Sequence, residues 1–268
     1  MSESPPAPPA PPAPPAPLAP LARVEWRTSH RIIRTLYPPV WLFEDIADPA
    51  DWDLLASAEA KTNPRLREEI GDLALVPAER RVSGPTASLV MAAFTHVSRL
   101  RPSRFSDGSY GVWYCGDRFA VALAETIFHF ERFMRATAEP PAEAQFRELV
   151  SGIAGGLRDL RAGGDQACLD PDDWRPGQAM GAAARAAGDD GIVYPSVRDP
   201  AGLAAALFWP DSVRLPVRQA RHMLYRWDGT RMSRYFVYGE NVWHGRPAAG
   251  QGQGSSRGLV SRFSSSPH

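Results

Sequence analysis

Residues 118–135, RFAVALAETIFHFERFMR, constrain the fold more than any other stretch of the chain. At about 100° per residue, Ala120, Leu123, Ile127, Phe130 and Met134 fall on one helical face, which has to be buried against a core. Arg118, Val121, Ala122, Glu125, Phe128, His129 and Arg132 fall on the opposite face. That second face has two readings. It is a solvated surface with Glu125 and His129 as an i,i+4 pair, or it is the wall of a partly closed cleft, because apolar Val121 and Phe128 flank the carboxylate. Just ahead, Tyr110–Cys115 is rich in aromatic and β-branched residues and reads as a strand. The helix therefore leaves directly from a strand end.

Elsewhere the pattern alternates irregularly. Residues 48–60 read as a helix, with Asp48 as cap and Pro49 in the first turn, and 62–69 as a loop entering a short helix. An apolar helix is expected within 84–100, around Ala92 and Phe94, and another over 142–160. The alanine-rich stretch 177–187 reads as a helix ended by Gly188. Ile192–Tyr194 reads as a short strand closing at Pro195, and 203–208 and 213–217 as further short strands. Residues 222–238 read as a hairpin turning at Asp228-Gly229. Mixed helices and short strands without a βαβ rhythm place the fold in the α+β class rather than among doubly wound sheets. Residues 1–22 are dominated by a PPA repeat, expected as a polyproline rod or disordered tail. Residues 247–268 are Gly/Ser-rich and expected to be disordered, which leaves 23–246 as the folded domain.

Thirty basic and thirty acidic residues cancel, which argues against an electrostatic binder of nucleic acid or membrane. Lys61 is the only lysine. Arginine suits forked recognition of phosphates and carboxylates, although a bias toward Ala, Arg, Pro and Gly also accounts for the excess. Cys115 and Cys168 cannot frame a disulfide scaffold, and no Cys/His spacing resembles a zinc site. Free thiols fit a reducing cytosol, so a cytoplasmic protein is expected. No run of about 18 apolar residues predicts a membrane helix, and the first residues lack a signal-peptide pattern. Neither a G-x-G-x-x-G nor a Walker loop is present, and no G-x-S-x-G elbow surrounds a serine.

Four residues stand out beside Glu125. Arg104 lies in the polar turn PSRFSDGSYG, where it can fork onto phosphate oxygens or simply face solvent. Tyr114 ends the aromatic strand and can stack on a flat heterocycle or sit in the core. Ser196 and Arg198, in GIVYPSVRD, lie where a strand opens into a loop. Such positions line ligand sites, and a serine there also caps turns.

The blocks RFSDGSYGVWY, ALAET, DDW and GQAMGAAARAAGDDGIVYPSVRD, in that order, resemble the RES-domain family over roughly residues 30–240. The family is named for an arginine, a glutamate and a serine. Placed residue by residue, these fall on Arg104, Glu125 and Ser196, with the family tyrosine on Tyr114 and an aromatic on Phe105. Ser109 and Tyr110 stand near the place where many relatives carry a second arginine and a tryptophan. The resemblance implies a fold like that of ADP-ribosyltransferases. It also implies a toxin of a bacterial toxin–antitoxin pair, neutralised by an Xre-like antitoxin and acting on NAD⁺. NAD⁺ would be substrate, with no resident cofactor or metal. Inorganic phosphate would be co-substrate, giving nicotinamide and ADP-ribose 1″-phosphate. In that scheme Arg104, Glu125 and Ser196 are catalytic, and Phe105, Tyr114, His129 and Arg198 contact substrate. ADP-ribosyl transfer to a protein and plain hydrolysis are alternatives. A non-catalytic interaction module is a third, from another class.

Overall fold

The stretch 142–160 has apolar residues at helical spacing, yet it is the central strand of the sheet. Gly152, Gly155 and Gly156 explain why: each would weaken a helix by about 1 kcal/mol relative to alanine. A Cβ on Gly155 would come 2.7 Å from the Cβ of Asp190, whose Oδ2 accepts from the Gly156 amide at 2.8 Å. This corrects the expected helix. The computed structural model describes residues 18–35, 71–163 and 165–247. The expected helix over 48–60 and the loop over 62–69 lie outside these residues, as do 1–17 and 248–268 of the two expected tails.

Numbered in chain order, the strands are β1 (Leu21–Arg34), β2 (Trp113–Gly116), β3 (Ala142–Asp159) and β4 (Gly191–Pro195). They continue as β5 (Leu203–Leu207), β6 (Arg218–Trp227), β7 (Met232–Val237) and β8 (Val242–Gly245). Antiparallel β1 runs along β3, from Leu21 opposite Arg158 to Arg34 opposite Phe146. On the other side of β3, the first half pairs antiparallel with β6, and the last residues pair parallel with β4. β4 pairs with β5, β5 with β2, and β2 returns to β1 at Gly116 opposite His30. Five strands thus close a ring of pairings, β1–β3–β4–β5–β2, and β6, β7 and β8 extend the sheet from one flank.

β1 carries no element expected from sequence, and it begins inside the segment expected as tail. Stretch 213–217 is not a strand. Pro210–Ser212 is a 3-10 turn, and Val213 makes a single bridge to Ile153; Pro216 has no N–H for a ladder. The hairpin forms as expected, with Gly229 at φ +102 and Asp228 Oδ1 accepting from the amides of Thr230 and Arg231 at 2.9 Å.

Among the described residues three helices pack on the sheet: α1 (Ala87–Thr95), α2 (Phe119–Ala136) and α3 (Arg175–Ala186). α2 buries Leu123, Ile127, Phe130 and Met134 against Phe146, Met223, Tyr225 and Trp227. Each such side chain contributes about 1.5–3 kcal/mol on burial. α3 approaches the chain around Arg104 through two small residues. A Cβ on Gly177 would meet the Arg104 carbonyl at 2.5 Å, and one on Gly181 would overlap the Phe105 carbonyl. The sheet thus fixes α2, and α3 fixes the Arg104 loop beside it.

Candidate active site

Arg104 is placed by a loop tied from three directions. The Ser103 amide donates to the Ser106 carbonyl at 2.8 Å. Tyr114 accepts from the Phe105 amide at 3.0 Å and donates to Ser103 Oγ at 2.9 Å. Gln178, from α3, donates to the Ser103 carbonyl at 3.1 Å. The arginine itself is 8% exposed. Its Nη1 donates to the carbonyls of Cys168 (3.2 Å) and Asp170 (2.6 Å), while Nε and Nη2 have no partner among the described residues. A guanidinium held by one nitrogen and open at the others is set to receive an anion.

Glu125 sits midway along α2 and is held by Ser196, which follows β4. Ser196 is 2% exposed, and its hydroxyl donates to Glu125 Oε1 at 2.8 Å. Ser196 Oγ also accepts from the amides of Arg198 (3.2 Å) and Asp199 (3.1 Å). These two donors fix the oxygen and leave its proton for the carboxylate. Glu125 Oε2 has no partner among the described residues. The carboxylate is therefore oriented by one oxygen and available by the other.

Glu125 and Arg104 line one cavity of about 220 Å³, together with Tyr114, His129, Arg198, Trp174, Phe128, Tyr194, His30 and Arg31. That is below the roughly 300–1,000 Å³ that enclose a drug-sized ligand, so a larger molecule would lie partly outside. Cations and rings alternate around the wall. The Arg198 guanidinium stacks 3.4 Å from the Phe128 ring centroid and Arg132 4.1 Å from Trp174. Two buried donors on lining residues, Arg198 Nε and Trp174 Nε1, have no partner among the described residues.

Electrostatics follow from this crowding. Burial, with the nearby Arg198, Arg132 and Arg104 charges, pushes His129 down to about 4. His129 is nonetheless an exposed residue by its accessible surface, so solvent screens the effect, and the direction leaves the imidazole neutral near pH 7. His129 makes no ion pair with Glu125; it lies against Phe128 and Trp174. Burial pushes the Tyr114 phenol up to about 12. Burial and then the Glu125 charge keep Tyr194 well above its ordinary value. Burial lowers Arg31 to about 10, while Arg31 Nη1 donates to the Tyr114 carbonyl at 3.1 Å.

The structure brings Arg104, Tyr114, Glu125, His129 and Arg198 to one cavity. Ser196 stands behind Glu125 as its support and does not line the space. Phe105, expected against substrate, is a fully buried core residue, edge-on to Tyr194 at 5.0 Å between centroids. His30 and Arg31 of β1 had no sequence signal, because β1 itself was not legible. Trp174 was visible only as part of the DDW block.

The described residues thus form an α+β domain whose cavity gathers one supported carboxylate, guanidinium groups with open donors and aromatic walls. The chain matches the RES domain over residues 78–228, more than half its length, and it belongs to that family. It is 28% identical over 212 residues to "Uncharacterized protein y4oC" of Sinorhizobium fredii (strain NBRC 101917 / NGR234), an alignment covering 78% of this chain and 86% of that protein. Among solved structures it is similar to a chain of the M. tuberculosis MbcT–MbcA toxin–antitoxin complex. That similarity has a TM-score of 0.35 and 16% identity, over 45% of this chain and 69% of the other.

Proposed function

We propose that this RES-domain protein cleaves the nicotinamide–ribose bond of NAD⁺, with inorganic phosphate as acceptor, and acts as a cytoplasmic toxin neutralised by an Xre-like antitoxin. One observation carries the reading: Glu125, held at 2.8 Å by a buried serine hydroxyl, shares a small cavity with an arginine that keeps donors open. Breaking the C1″–N bond builds oxocarbenium character on the ribose, as in glycoside cleavage. Glu125 stabilises that charge and accepts from a ribose hydroxyl through Oε2. Arg104 takes phosphate oxygens through Nε and Nη2. The nicotinamide leaves as a neutral ring, taking the bonding electron pair, so no acid is needed at the leaving group. In this reading the cavity takes the nicotinamide riboside half, and Arg198, Phe128 and Trp174 on its wall, with Arg132 stacked on Trp174, contact the pyrophosphate and adenosine. The implied likeness to ADP-ribosyltransferases belongs to the same proposal.

Glu125→Gln tests this directly. The amide is isosteric and keeps the Ser196 contact, but it lacks the charge. Nicotinamide release should fall at least about a hundredfold with an unchanged melting temperature. An unchanged rate would remove Glu125 from the chemistry. Product analysis separates the acceptors: ADP-ribose 1″-phosphate, free ADP-ribose or labelled protein. The antitoxin part is tested by co-expression with a small Xre-like gene adjacent to this one; continued growth arrest would refute it.

A further inference from the structure

His30 lies ahead of the matched family segment and is not used by the reaction drawn above. It sits where β1 meets β2, opposite Gly116, and it lines the catalytic cavity. Its Nδ1 is 2.6 Å from Glu148 Oε1. Glu148 is fully buried in β3, and its Oε2 accepts from Arg221 Nη1 at 2.8 Å and from the Arg221 amide at 3.3 Å. Burial opposes ionisation of Glu148, but the hydrogen bonds from His30 and Arg221 outweigh it and lower its pKa. An ionised Glu148 only accepts, so Nδ1 carries a proton, and in that tautomer Nε2 is the ring nitrogen left to act as an acceptor. Nε2 has no partner among the described residues. Glu148 lines a second, open depression on the β6 side and not the catalytic cavity. His30 itself lines both spaces, with its Nδ1 edge taken up by Glu148. The other charged side chains and histidines lining the two spaces are Arg31 on its own strand, Arg218, Arg221, His222 and Glu240 on the Glu148 side, and Arg104, Glu125, His129 and Arg198 in the cavity.

We propose that His30 is the acceptor-side catalytic residue, binding the incoming inorganic phosphate through Nε2 and taking its proton; this rests on the NAD⁺-cleaving reading above. With H₂PO₄⁻ as co-substrate, a phosphate oxygen forms the bond to C1″. The C1″–N bond breaks with its electron pair going to nicotinamide, and the phosphate proton moves to Nε2. Glu148 then stands beside an imidazolium, which its charge stabilises.

His30→Asn is the informative variant, because its side-chain amide preserves the donor to Glu148 and deletes Nε2. The expected result is a loss of at least about tenfold in kcat/KM for phosphate, with a normal melting temperature. A structural role alone predicts phosphate kinetics within twofold of wild type, and that result would overturn the assignment. Titrating wild-type protein with phosphate while following the ¹⁵N resonances of the His30 ring gives a test independent of any variant. Movement of Nε2 is expected, and a static resonance at saturating phosphate counts against the proposal. If wild-type protein releases no nicotinamide, the underlying reading fails; if it does, and His30→Asn matches it, only the role of His30 fails.

Discussion

Ser196→Ala removes one hydroxyl and tests whether Glu125 must be held. In the wild type, that hydroxyl donates to the carboxylate at 2.8 Å and accepts two backbone amides at 3.1 and 3.2 Å. A hydrogen bond to a charged group is worth about 1.5–3 kcal/mol. If that energy serves to orient Glu125 for the transition state, at 1.36 kcal/mol per decade turnover drops roughly 10- to 150-fold. Of the two orphaned amides the Asp199 one is buried and the Arg198 one only part-buried; the buried one alone costs about 1–3 kcal/mol of stability, a fall in Tm of about 2–12 °C for a domain of this size. The assay is single-turnover nicotinamide release well below the melting transition, with Tm measured in parallel. The rate loss should persist at temperatures where both proteins are fully folded. A variant within threefold of wild type under those conditions would refute the claim that Ser196 acts through Glu125.

Other outcomes follow from the packing and the charges. Gly181→Ala places a methyl against the Phe105 carbonyl and should cost about 1–3 kcal/mol by overpacking; because α3 carries the Arg104 loop, KM for NAD⁺ should rise as well. A Gly181→Ala protein with wild-type Tm and KM would contradict the close approach. His129 has a folded-state pKa of about 4, below its ordinary value of 6.5. The unfolded chain therefore binds the proton first, and stability is lost as pH falls from about 6.5 toward 4. His129→Gln should flatten that part of the Tm–pH curve, and a curve parallel to wild type would show that His129 is not desolvated by its neighbours.

Glu125 was legible because helical phasing and its apolar flanks, Val121 and Phe128, pointed to a cleft, and the structure puts Val121 in the core and Phe128 on the cavity wall. Arg104, Tyr114 and Ser196 were marked by motif, but only the structure assigns Tyr114 and Ser196 as supports of the loop and the carboxylate. β3 was misread because Phe146, Leu149, Ile153 and Leu157 satisfy both helical spacing and a strand buried on both faces. The three glycines were the available counter-signal. β1 was missed because a central strand with several arginines shows little apolar alternation. Two of its polar side chains are held by partners more than 80 residues away, Arg31 on Tyr114 and His30 on Glu148, and such pairings leave no local trace. Phe105 was expected against substrate because the resemblance puts an aromatic after the arginine, and adjacent residues commonly face opposite ways.

The most direct measurement incubates the purified protein with NAD⁺ at varied phosphate and identifies both halves of the product. The account predicts nicotinamide release that saturates with phosphate, in equal amounts with ADP-ribose 1″-phosphate. Absence of nicotinamide at every phosphate concentration would contradict it.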